Sequence, residues 1–126
     1  MNNNARNAYL GASVNTASPE RLLVMLCERL VLDLQRGMQA QIAGQREQAN
    51  NQLQHAQDIV MELRSSLNAD VWDGAASLDT LYGWMHSQLI VANTHNDSTI
   101  TANVLTLAEQ LSDTWRQAAL ASQTAV

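Results

Sequence analysis

The chain has 126 residues, enough for one hydrophobic core and too few for two. Its formal net charge is −5, its isoelectric point lies near 4.9, and its basic residues are all arginine, so a basic stripe tracking nucleic-acid phosphates is excluded. The single cysteine, Cys27, cannot close an internal disulfide, which points to a reducing compartment and so to the cytoplasm.

Residues 1–17 are rich in Asn, Ala and Ser, and Met1 to Arg6 lacks the apolar stretch and cleavage site of a secretory leader. Tyr9, Leu10 and Val14 are apolar side chains that a purely solvated leader does not need, so the segment reads as a flexible, loosely attached arm. Ser18-Pro19-Glu20 is a helix start: a capping hydroxyl, a proline where no amide partner is required, and an acid at the positive end of the helix dipole. The first helix extends to about Ala43, with Gly44 as a left-handed stop. A second helix, from about Gln45 to Leu67, places Ala49, Leu53, Ala56, Val60, Leu63 and Leu67 on one apolar seam. Asn68 to Gly74 reads as a loop, with Asn68 as a left-handed cap and Asp73-Gly74 as a turn.

The third helix covers about Ala75 to Thr94, with Leu78, Leu81, Met85, Leu89 and Ala92 as its seam. Asp97 is the expected N-cap of the fourth, whose seam is Ile100, Val104, Leu107, Leu111, Trp115 and Ala118; it ends near Ala121, and residues 122–126 form a frayed tail. Short connections make neighbours antiparallel, so the expectation is an all-α, up-down four-helix bundle over residues 18–121. The charge-free stretch from Thr80 to Asn96 is broken by Gly83, His86, Gln88 and Asn93, and no membrane insertion is expected.

Some apolar residues exceed what a bundle seam uses. On the first helix, residues from Leu22 to Ile42 fill an arc of about 200° when projected at about 100° per residue, with Arg29, Asp33 and Arg36 opposite. On the third, Trp84 and Val91 stand one heptad apart and well away from the seam; on the second, Ile59 flanks the seam and Met61 projects away from it. Together they suit a protein partner, although isolated surface hydrophobes are commonplace.

Signs of catalysis are weak. No Glu-x-x-His pair exists to build a di-metal bundle. His55, Asp58 and Glu62 form one row on the second helix, more often a solvated face than a metal site. Cys27 lies on the apolar arc without a basic neighbour to activate it. No phosphate-cradling glycine loop is present, so neither enzyme activity nor a cofactor is expected. The alternative from another class is a histidine phosphotransfer bundle using His55, His86 or His95. Such a site normally sets a lysine beside the phosphoryl group, and the chain has none.

The stretch Tyr9 to Arg29, YLGASVNTASPERLLVMLCER, resembles the start of flagellar export chaperones of the FliS type. Further matches follow in order at Asn50, Ala56-Gln57, Ile59, Glu62-Leu63, Leu78, Leu81-Tyr82, Met85, Ala92-Asn93, Asp97 and Trp115. The chain departs from the pattern at Cys27-Glu28-Arg29, where an aromatic and Asp-Gly are usual, and at Trp84, where tyrosine is commoner. The resemblance implies a cytosolic chaperone without catalytic activity that binds the disordered C-terminal segment of flagellin, prevents premature polymerisation and keeps the subunit competent for type III export. The flagellin-contacting residues then expected are Tyr9, Leu10, Val14, Ile59, Tyr82, Trp84, Val91 and Asn93. A flagellar export-gate component as second partner, and a weak homodimer of the unliganded chain, stay open.

Overall fold

The computed structural model of the chain describes residues 19–67 and 74–124, with side chains through residue 121. Those residues form four helices: α1 (Pro19–Ile42), α2 (Arg46–Ser65), α3 (Ala75–Thr94) and α4 (Ser98–Thr124). Each packs on two neighbours only, α1 and α3 both lying against α2 and α4, so the helices make a ring without diagonal contacts. Cross-helix pairs set the directions. Asn50 near the start of α2 meets Asn93 near the end of α3, Arg64 near the end of α2 meets Asp79 near the start of α3, and Glu28 of α1 meets Arg116 of α4. Neighbours are therefore antiparallel, and the fold is the up-down four-helix bundle expected.

The two resolved turns share one chemistry. Gly44 has φ +74°, and the Gln45 amide reaches back to the Ala40 carbonyl at 2.8 Å. Asn96 has φ +51°, and the Asp97 amide reaches the Ala92 carbonyl at 2.9 Å. In both, a left-handed residue turns the chain so that free carbonyls at the helix end regain a donor. Asp97 then starts the next helix: its carboxylate accepts from the Thr99 amide at 2.9 Å. That N-cap was legible in advance; the left-handed asparagine before it was not. The expected features at Asn68 and Asp73 lie outside the described residues. The helix α4 continues to Thr124 rather than ending near Ala121.

The core joins Cys27, Leu30 and Leu34 of α1 to Leu53, Ala56, Val60 and Leu63 of α2, Tyr82, Met85 and Leu89 of α3, and Val104, Leu105 and Ala108 of α4. Each large aliphatic among them contributes about 1.5–3 kcal/mol by leaving water. Tyr82 is the largest fully buried side chain among the described residues. The buried face of α4 is Thr101, Val104, Leu105, Ala108 and Ser112, so it is turned from the expected seam, whose Ile100, Leu107, Leu111 and Trp115 are only partly covered. Small side chains stand at 101, 108 and 112 on this buried face, and Thr101 bonds Gln41 of α1.

Asp33 corrects another expectation. It was placed on the solvated side of α1, yet it is fully buried, because α2 packs over it and supplies His55 as a partner.

Candidate protein-binding surface

The bundle leaves several large apolar side chains outside. On α3, Trp84 is 45 % exposed and Val91 38 %, one heptad apart on the outward face, with Ile90 also exposed nearby in sequence. At the start of α1, Leu22 is 44 % and Met25 53 % exposed. Leu22 opens onto a hollow of about 280 Å³ lined by Pro19, Leu22, Leu23 and Leu26 from α1 and by Glu62 and Ser66 from α2. Met61 on α2, Leu120 on α4 and Ile42 at the end of α1 complete the exposed set among the described residues.

The eight residues expected to touch a partner divide into three groups. Trp84 and Val91 are exposed, as their phase predicted. Ile59 and Tyr82 are not: Ile59 is 6 % and Tyr82 1 % exposed, both within the core. Ile59 sits at the edge of a seam that α2 buries more widely than its spacing suggested. Tyr82 turns inward, where burial and the nearby Cys27 raise its hydroxyl pKa and the Trp115 side chain works the other way. Asn93 is half-buried; its amide donates to Asn50 Oδ1 at 2.7 Å, and both line a polar hollow of about 390 Å³ with Arg46, Glu47, Thr94 and Asn96. Tyr9, Leu10 and Val14 lie outside the described residues.

Leu22 belonged to the broad apolar arc of α1, but the hollow it opens required α2 to be placed. Ile90 and Leu120 gave no periodic signal, since each stands alone on a polar face.

Cys27 is wholly buried, and that burial, with the neighbouring Glu28, lifts its thiol to about 11, so the sulfur stays protonated near neutrality. On the surface Arg64 donates to Asp79 through Nε at 2.7 Å and Nη2 at 3.3 Å, which holds the Asp79 carboxyl below its ordinary range and raises the guanidinium. Among the described residues no group of three or more His, Cys, Asp or Glu could hold a metal ion, and no helix is long and apolar enough to cross a membrane.

The helical bundle keeps a tryptophan and several leucine- and methionine-sized side chains outside its own interior. Residues 1–123 match the model of the family described as flagellar protein FliS. The chain is 34 % identical over 115 residues to the flagellar secretion chaperone FliS of Bacillus subtilis, covering 91 % of this chain and 86 % of that one. It is 31 % identical over 113 residues to the protein of the same name from Vibrio cholerae, covering 89 % and 83 %. With the flagellar secretion chaperone FliSB of Pseudomonas aeruginosa it shares 32 % identity over 108 residues, 82 % and 83 % of the two chains. The chain belongs to the FliS family.

Proposed function

We propose that this protein is a cytoplasmic flagellar secretion chaperone that holds the disordered C-terminal segment of flagellin, keeps it from polymerising and presents it for type III export. The reading rests on family membership, and the observation that carries it physically is Trp84: a large aromatic left nearly half exposed on the outward face of α3. Val91 adds to the same face, and the Leu22–Leu26 hollow offers a separate apolar site on the other side of a helix. Tyr9, Leu10 and Val14 enter this reading as an arm that covers part of the apolar surface when it is empty. The role needs binding and no catalysis.

A disordered client gives up chain entropy of several kcal/mol on ordering, so affinity has to come from broad contact, on the order of 1,000–3,000 Å². Aromatic anchors dominate such surfaces. Titration calorimetry of the chain with a flagellin C-terminal peptide tests the reading. Trp84→Asp should weaken binding by about 2–4 kcal/mol while leaving far-ultraviolet circular dichroism unchanged; a loss ten times smaller would show that the client lies elsewhere.

A further inference from the structure

Asp33 lies wholly buried at the α1–α2 interface and is met by two donors: Arg29 Nε at 3.0 Å from one turn earlier on α1, and His55 Nδ1 from α2. The contact sets the ring with Nδ1 against Asp33 Oδ2. Nε2 is then the nitrogen away from the buried carboxylate, and it reacts from the ring form that carries its hydrogen on Nδ1. The His55 side chain is half-exposed. A carboxylate placed in this way orients an imidazole and stabilises the positive charge that the ring acquires when its other nitrogen reacts.

The surrounding charge is mixed. Arg29 and Arg36 stand one turn before and one turn after Asp33 on the same side of α1. Asp58 and Glu62, both exposed, follow His55 along its row on α2. The chain has no lysine to set beside a phosphoryl group; the cation shown in this cluster is Arg29, which shares the Asp33 carboxylate with His55.

We propose that His55 is a phosphoryl-acceptor site. Nε2 attacks the phosphorus of an activated donor; the N–P bond forms as the bond from phosphorus to the leaving group breaks, and that electron pair departs on the leaving group. The ring keeps its Nδ1 proton, its new positive charge lies against Asp33, and the Arg29 guanidinium on the same carboxylate keeps a cation in the cluster. Asp33 acts here as a positioning residue. Glu62, two turns along the same row, lines the apolar hollow at the start of α1, so the modification would add negative charge on the seam that carries that hollow.

The test uses the full chain and phosphoramidate, whose P–N bond breaks with ammonia leaving. The adducts are mapped by mass spectrometry under alkaline conditions, and His95, exposed just beyond α3, serves as reference within the same molecule. His55 should react about tenfold faster than His95 or more, and Asp33→Asn should bring it down to the His95 rate. Equal rates in the unmodified chain would overturn the proposal, as would a ratio unchanged by Asp33→Asn in a variant whose circular dichroism shows it folded. If that variant does not fold, Arg29→Gln replaces it: a several-fold drop at His55 with His95 unaffected supports the site, and an unchanged His55 rate refutes it.

Discussion

Gln41 spans the interior at one end of the bundle. Its Nε2 donates to the Ala92 carbonyl of α3 at 3.0 Å, and its Oε1 accepts from Thr101 Oγ1 of α4 at 2.7 Å, so one buried side chain of α1 ties three helices together. Thr101→Val keeps the shape but leaves Gln41 Oε1 without that donor, which should cost about 1–2 kcal/mol in urea unfolding. Gln41→Met should cost a similar amount. The double variant should cost less than the sum, because no polar atom of the pair is then stranded: the Ala92 carbonyl keeps the Asp97 amide. Additive losses would mean the two groups are not coupled. Cys27 yields a pH prediction. Its thiol is raised in the fold to about 11 from an ordinary 9.0, so the folded chain holds its proton where the unfolded chain has lost it. Stability from this group is complete below pH 9 and is lost as pH rises toward 11. Urea midpoints should fall across that window, and Cys27→Ala should flatten the fall, leaving the part that comes from Tyr82, whose hydroxyl is shifted the same way.

Helices are where local chemistry and packing can be separated. The boundaries of α3, the stop at Gly44 and the cap at Asp97 were legible because each depends on residues within a turn of it. The rotation of the α4 seam, the burial of Asp33 and the inward turn of Tyr82 were not, since each depends on which neighbour approaches and how closely. Trp84 and Val91 could be read from phase alone; the hollow at Leu22 needed a second helix in place. Gly37 shows the same limit. As a mid-helix glycine it looks like a weakness, yet a Cβ there would stand 2.9 Å from Leu53 Cδ2 and 3.2 Å from its Cγ, and Leu53 is fully buried. Gly37→Ala would gain about 1 kcal/mol in helix propensity, but displacing a core leucine costs about 1–3 kcal/mol. The substitution should therefore lower the urea midpoint, and a rise would show that α1 and α2 can separate at little cost.

At the scale of the whole molecule, the exposed apolar side chains are spread over the bundle rather than gathered in one patch. Leu22 and Met25 stand at the start of α1, Trp84 and Val91 on α3, and α1 and α3 do not touch within the ring. A client that uses both must cross an intervening helix, about 10 Å wide. Under the proposed function, such a client would have to bind as a long wrapped segment and not as a single inserted helix. The two contacts are far enough apart to act independently, so their losses should add in free energy and multiply in affinity. With the flagellin C-terminal segment, Leu22→Asp and Trp84→Asp should each weaken binding about tenfold or more, and the double variant by about the product of the two. A peptide cut to half its length should respond to one substitution and ignore the other. If Leu22→Asp leaves calorimetric affinity unchanged while Trp84→Asp abolishes it, the client occupies the α3 face alone, and the apolar start of α1 serves another purpose.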